Sequence, residues 1–530
     1  MNQPDFGRRD FLKLGAVALG ATSCSTTGSH ARAEFELEEA TIADLQAAMD
    51  RGEQTSQSLC SLYLRRIDAL DRRGPSLHAV IETNPEALAI AAGLDAERRT
   101  RGPRGPLHGI PVLIKDNIAT ADSMATTAGS LALLGAKAPE DSELARRLRA
   151  AGAVILGKTN LSEWANFPSN DSQSGWSGRG GQCRNPYVID RNPSGSSSGS
   201  AAAASASFAA VCVGTETDGS IVSPSSTCGV VGIKPTLGLV SRRGIVPIAE
   251  SQDTAGPIAR TVRDAAILLT AITGVDPKDP VTQDATAIDF AGQLDEATLK
   301  GARIGVVRRG LFGYHAPTDA IAEAAIALMR ERGAEIVDPV EIPHLREYGR
   351  AELEVLLYEF KDGLDRYLVE FAPGAEVSSL AELIAFNERE RERELPYFGQ
   401  ETLVRAQAKG PLTEQAYLDA LAQCRRLARD EGLPALLAAQ KLDAVVAPTT
   451  GPAAVIDLLF GDRSLGGSAR AAAVSGCPHV TVPAGYVQGL PVGLSFMGAR
   501  FDDARVIALA HAYEQASKAR RTPRFLPTLA

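Results

Sequence analysis

The sequence predicts an α/β layered fold, and three features predict it. Short apolar runs recur at 110–114, 154–156 and 211–213, of the length expected for strands covered on both faces. Segments with apolar residues at helical spacing separate them, which is the alternation of a sheet with packed helices. With 530 residues and 44% hydrophobic content, the chain carries ample apolar surface for a large core.

Taken in order, Leu59, Leu62, Tyr63, Ile67 and Leu70 fall at helical spacing within 41–73. Two helices are expected there, with Ser56 as an N-cap and Gly74-Pro75 as the stop. A strand at 78–81, a helix from Asn84-Pro85 to about Arg98 and a turn at Gly105-Pro106 follow. Residues 110–117 form an apolar run that ends in charge, expected as a buried strand, then a helix at 141–151, a strand at 154–156 and a short helix at 161–167. The stretch 169–200 is polar and glycine-rich, too long for an ordinary connection, and its surroundings point to function. Beyond it come strands at 211–214 and 230–233, a helix at 261–273 and a surface crossing at 277–293. A strand at 303–307, a helix at 319–332 and a strand at 335–337 add one more unit. Residues 349–440 are helical in period and highly charged, a cap or rim in which Arg389-Glu390-Arg391-Glu392-Arg393-Glu394 is expected to be a solvated face. Strands at 443–448, 479–483 and 492–496 precede a final helix at 503–520, and no internal repeat is evident.

The net charge of −9, with no long basic run outside the N-terminus, argues against a nucleic-acid surface. At the N-terminus, Arg8-Arg9-Asp10-Phe11-Leu12-Lys13 precedes an apolar run at 14–21 that is too short to span a bilayer. Residues 1–33 thus resemble a twin-arginine export signal, cleaved after Ala31-Arg32-Ala33, which implies a periplasmic protein. Lipid attachment at Cys24 is the alternative, and loss of four basic and two acidic residues would leave a mature charge of −11. The remaining six cysteines show no Cys-x-x-Cys spacing and no histidine cluster, so neither zinc nor a redox pair is expected.

The chemistry centres on Ser194-Gly195-Ser196-Ser197-Ser198-Gly199-Ser200 and on Thr215-Glu216-Thr217-Asp218-Gly219-Ser220-Ile221. A flexible linker is the bland explanation of the first, but it runs straight into the apolar segment 201–206. Gly195 to Gly199 also matches a nucleophile elbow with Ser197 at its centre. That arrangement needs a buried strand before it, where 184–193 is polar and carries two prolines, and a later histidine, His479 or His511. A Ser-x-x-Lys nucleophile is excluded, since no lysine has a serine three positions before it. Lys115 offers a third route, because burial at the end of an apolar strand would lower its pKa and make it a base. From strand position alone, a lysine that merely emerges into water is the default.

The combination overturns that default. Ile114-Lys115-Asp116-Asn117, the Gly/Ser run at 195–199, Gly214 to Ile221 and the continuation Cys228-Gly229-Val230-Val231-Gly232-Ile233-Lys234-Pro235-Thr236 together resemble the amidase signature family. The resemblance spans most of 40–520. It implies a single domain over 36–527 with a central mixed sheet, helices on both faces and a helical cap at 349–440. It implies an amidohydrolase without metal or cofactor, with Ser220 as nucleophile, Ser196 as a bridging serine in a cis peptide and Lys115 as base. The backbone of Thr217, Asp218, Gly219 and Ser220 would form the oxyanion hole. Where the family commonly has Gly-Gly-Ser-Ile-Arg, this chain has Asp218-Gly219-Ser220-Ile221-Val222. That form, with Ser251-Gln252-Asp253-Thr254-Ala255-Gly256-Pro257 downstream, looks more like the peptide amidase branch.

The substrate expected is therefore a peptide amide or other small amide, with aryl-acylamides and linear oligoamides as alternatives. The family's tRNA amidotransferase, the other activity on this fold, is disfavoured by export and acidity. An exported solute-binding protein without turnover is the alternative of another class. The loop at 169–192 and the rim at 349–440 are expected to shape the acyl pocket. Trp164, Phe167, Trp176 and Tyr358 are candidates to line it, against a simpler role in core packing. The sequence carries no signal for an oligomeric state.

Overall fold

The structure, a computed structural model, describes residues 35–529, so the expected export signal and Cys24 lie outside the described residues. Its strands are β1 (Val80–Thr83), β2 (Pro111–Lys115), β3 (Val154–Thr159), β4 (Trp176–Ser177), β5 (Gly181–Gln182), β6 (Val211–Glu216), β7 (Val231–Lys234), β8 (Thr254–Ala259), β9 (Arg303–Val307), β10 (Glu335–Val340), β11 (Ala444–Pro448), β12 (His479–Val487) and β13 (Leu490–Met497). All but β4 and β5 join one mixed sheet in the order β1-β3-β2-β6-β8-β7-β12-β13-β11-β9-β10. β2 runs parallel to β3 and β6, whereas β8 lies antiparallel between β6 and β7. Every residue of β2, β3 and β6 is buried, not only the apolar runs that open them but also the polar residues that end them, Lys115, Lys158-Thr159 and Thr215-Glu216. This is the mixed sheet flanked by helices that the sequence implies, and residues from Leu37 onward make one compact unit.

The helix Ser198–Ser205 packs on β6 and β8 with all eight residues buried. Its serines, glycine and alanines let the backbone come close to its neighbours. A side chain at Gly199 would run into the backbone of Ala79 and Asn160, so only glycine fits there. The cap helices Gly349–Phe371, Leu380–Arg389 and Glu401–Gln407 share one apolar cluster with Trp164, Phe167, Val246 and Ile248. The cap is thus fastened to the rest of the fold by a common core.

Several local expectations are corrected. The helix Ser56–Ile67 is capped by Thr55, whose side chain receives the Ser58 N–H, and Ser56 is its first residue. At 161–167 there is only a short turn, Glu163–Asn166, with Trp164 and Ala165 at positive φ. β8 and the helix Ala469–Ser475 are additional elements. The charged run is not wholly solvated: Glu394 is buried, and its Oε1 accepts the Leu131 N–H at 2.7 Å and the Ser130 hydroxyl at 3.3 Å. The helix breaks at Glu390 and turns this residue inward.

The six cysteines in the described residues are free and buried. Among the same residues no helix is long and apolar enough to cross a membrane.

Candidate active site

β2 carries Lys115 to its end, where the ammonium-bearing group is completely buried. Lys115 Nζ donates to Ser196 Oγ at 2.8 Å and to Thr215 Oγ1 at 2.9 Å. Among the described residues no carboxylate receives it directly. Burial therefore pushes its pKa down to about 7, with the more distant charges of Asp253 and Glu216 opposing the shift. Asn117 Nδ2 donates to the same Thr215 hydroxyl at 3.0 Å, so Thr215 on β6 gathers both Lys115 at the end of β2 and Asn117 in the turn that follows it.

The turn after Lys115 is fixed by Asp116. Its buried carboxylate accepts from the Thr127 hydroxyl and faces Arg179 at 3.3 Å. On the neighbouring strand, a second buried lysine, Lys158, donates to the Ile118 carbonyl at 2.6 Å and to Thr126 Oγ1 at 2.8 Å. Burial also lowers its pKa, to about 8, but its partners are loop atoms that shape the chain beyond β2.

The Gly195–Ser196 peptide is cis. Ser196 is fully buried, and its carbonyl accepts the Ser162 N–H at 3.1 Å. Ser197 fills a different role from the elbow expectation. Its hydroxyl donates to the Thr215 carbonyl at 3.0 Å and accepts the Thr215 N–H at 3.1 Å, pinning the Ser/Gly run to β6. The Ser197 N–H donates to the Ser220 carbonyl at 3.1 Å, which brings the two serine segments together. The histidines an elbow would need are engaged elsewhere: His479 Nε2 lies 2.5 Å from Ser495 Oγ, and His511 Nδ1 lies 3.4 Å from Glu514. Burial, helped by Lys234, lowers His479 to about 3 and keeps it neutral.

At the end of β6 the chain turns through 217–220 into the helix Val222–Thr227. Gly219 has φ of +84°, a conformation that suits glycine. Glu216 closes this turn by accepting the N–H groups of Ile221 at 2.7 Å and Val222 at 3.0 Å. Thr217 is held from two sides, its hydroxyl donating to Asp253 Oδ1 at 2.5 Å and its carbonyl accepting Gln252 Nε2 at 3.2 Å. Ser220 is nearly buried, at 8% exposure, and stands at the head of this fixed turn.

A cavity of about 520 Å³ meets this assembly at Asn117, Thr215, Thr217 and Asp253, and the cap helix lines it with Tyr367 and Phe371. Trp164 and Phe167 sit in the shared core, Trp176 packs edge-on against Tyr397 and Phe398, and Tyr358 packs against Tyr417. All four candidate lining aromatics are engaged in packing.

The structure thus brings Lys115 and Ser196 into contact and sets the Ser220 segment beside the Ser/Gly run. Sequence reasoning gave no role to Thr215, Asn117, Glu216, Gln252 or Asp253. The first three stand inside or next to the quoted motifs, and the two others in the downstream Ser251–Pro257 segment, where a buried carboxylate and amide were the available signal.

A buried amine of lowered pKa, a serine against it and a second serine at a rigid turn make up the equipment of an acyl-transfer hydrolase. The amidase family model matches residues 58–507, and the chain belongs to that family, the amidase signature enzymes. It is similar to the native peptide amidase of Stenotrophomonas maltophilia, with 54% identity, a TM-score of 0.87, and coverage of 92% of this chain and 99% of that one. A protein of Arabidopsis thaliana described as "Probable amidase" is 43% identical over 98% of each chain. A glutamyl-tRNA(Gln) amidotransferase protein of Halorhodospira halophila is 36% identical over 90% of this chain and 96% of its own. The protein is an amide-hydrolysing enzyme, which removes the alternative of a solute-binding protein without turnover.

Proposed function

We propose that this chain is an exported peptide amidase that releases ammonia from C-terminally amidated peptides through an acyl-enzyme on Ser220. The observation that carries the mechanism is the buried 2.8 Å contact between Lys115 Nζ and Ser196 Oγ. The substrate class rests on the similarity to a peptide amidase over 92% of the chain.

In this mechanism neutral Lys115 takes the Ser196 hydroxyl proton while Ser196 takes that of Ser220, since a hydroxyl can donate and accept at once. The Ser220 oxygen attacks the amide carbon, and the N–H groups of 217–220 receive the developing oxyanion. Collapse of the intermediate breaks the C–N bond. The proton on Lys115 returns through Ser196 to the departing nitrogen, which leaves as ammonia. Water then attacks the Ser220 ester and gives a proton to the same relay; collapse breaks the ester C–O bond, the relay returns that proton to the departing Ser220 oxygen, and the peptide leaves with a free carboxyl group, which ionises in solution. Nothing is oxidised or reduced.

A panel of peptide amides, anilides and linear oligoamides, assayed for ammonia or amine release, tests the substrate class. The highest kcat/KM is expected for peptide amides. A preference for anilides or oligoamides by tenfold or more would replace that substrate class with another of the same chemistry. Export is tested by fractionation: R8K/R9K is expected to hold the protein in the cytoplasm, and unchanged periplasmic recovery would refute the twin-arginine route.

A further inference from the structure

One buried titratable group beside the site has no part in the proton relay. Glu352 lies on the cap helix Gly349–Phe371, with its side chain only 5% exposed. Its Oε1 accepts Gln252 Nε2 at 3.2 Å, and the same amide nitrogen donates to the Thr217 carbonyl at 3.2 Å. Its Oε2 lies 2.9 Å from Arg470 Nε, which is 3.6 Å from Asp218 Oδ2. Arg470 belongs to the helix Ala469–Ser475, whose first residue sits against Gly219. Three distant parts of the chain therefore meet on the turn that carries Ser220.

We propose that Glu352 is a positioning residue for the turn at 217–220, holding Gln252 against the Thr217 carbonyl and Arg470 beside Asp218. The inference rests on the reading of this turn as the nucleophile and oxyanion segment. It extends that reading by making the cap a working part of the site.

The electrostatics follow from the groups that face Glu352. These are Asp218 from the turn, Arg470, Gln252, Tyr348 at the N-cap of its own helix, and Cys424 from the helix Gln415–Cys424. Two carboxyl groups share a single cation, and that cation is half exposed, so solvent screens it. Such a pair holds one proton between its members. Burial and then the Asp218 charge push Glu352 up to about 8, so it carries the proton at neutral pH. Above that range it ionises. A second negative charge then stands beside the N–H groups that must stabilise an oxyanion, and turnover falls.

The test is the pH dependence of kcat for wild type, E352Q, E352A and Q252A on any amide that the wild type hydrolyses, with thermal unfolding of each. The wild type is expected to give a bell that rises near pH 7 and falls near pH 8. E352Q keeps an acceptor for Gln252 and a donor toward Asp218 without the titration, although its amide nitrogen cannot accept from Arg470, so it should retain at least about a third of the neutral kcat and lose the alkaline limb. E352A and Q252A should lose about 10- to 100-fold in kcat with KM changed less than about threefold. An alkaline limb unchanged in E352Q, or losses in all three variants that merely track the unfolded fraction, would overturn the proposal. Mapping the acyl group on wild-type enzyme scores the nucleophile separately: acylation of Ser220 together with an unaltered E352Q profile counts against Glu352 alone.

Discussion

Ser220→Ala is expected to lower kcat on every amide by on the order of 10⁴- to 10⁶-fold, the scale on which nucleophile removal acts in serine hydrolases. The fold should be nearly untouched. The Ser220 carbonyl still accepts the Ser197 N–H, and Glu216 still closes the turn through Ile221 and Val222, because none of these contacts uses the Ser220 hydroxyl. Unfolding free energy is expected to change by less than about 1 kcal/mol, as for a small substitution that leaves no cavity. Acid-quenched wild type incubated with substrate should carry an acyl group on the peptide containing Ser220, and S220A should carry none. Ser197→Ala makes the sharper contrast. It removes two hydrogen bonds to Thr215 and should destabilise by about 1–3 kcal/mol, yet leave Ser220 acylated. An adduct found on Ser197, or more than a tenth of wild-type kcat in S220A, would return the nucleophile to the centre of the Ser/Gly run.

Those two serines also mark what a sequence can and cannot say. β2, β3 and β6 were legible from the apolar runs that open them, because burial on both faces selects such runs, whereas their polar ends, buried only by the packing around them, were not. β8 was not, because Gly256-Pro257 inside it signals a turn. It survives in mid-sheet because β7 pairs only with Ile258 and Ala259, so the ladder on that side ends before the proline. Glu394 was misjudged for a related reason: charge periodicity assumes an unbroken helix, and the break at Glu390 re-aims everything after it. The site divides in the same way. Lys115, Ser196 and Ser220 stand in compact motifs, and it was the family resemblance carried by those motifs, not the local pattern, that singled them out. Glu352 and Arg470 act on the turn from 134 and 252 positions away, respectively, from Asp218, and only the packing of the cap helix and the helix Ala469–Ser475 brings them there.

Lys115 is expected to trade stability for function, and one substitution can display both sides. In the proposed relay only the neutral amine can accept a proton, and burial places its pKa at about 7. The rate should therefore rise as pH passes through 7 and fall about tenfold for each unit below it, so that pH 5 retains about one part in a hundred. Lys115→Met should remove this limb together with about 10³- to 10⁴-fold or more of kcat. Lys115→Arg should be no better, because a guanidinium stays charged. Stability should move the other way. The unfolded lysine holds its proton up to about 10.4, whereas the folded one releases it near 7, so between these values the unfolded state binds more protons. Wild-type stability accordingly rises with pH across that window and lacks that contribution below it. At about 1.4 kcal/mol per pKa unit, the penalty at pH 7 amounts to a few kcal/mol. Methionine fills the same space without a charge to desolvate, so K115M should unfold at a higher temperature than wild type at pH 7, with the gap narrowing toward pH 10. A variant both inactive and less stable at pH 7 would mean that the Thr215 and Ser196 contacts outweigh desolvation, and that the lysine is kept for structure as well as for its proton.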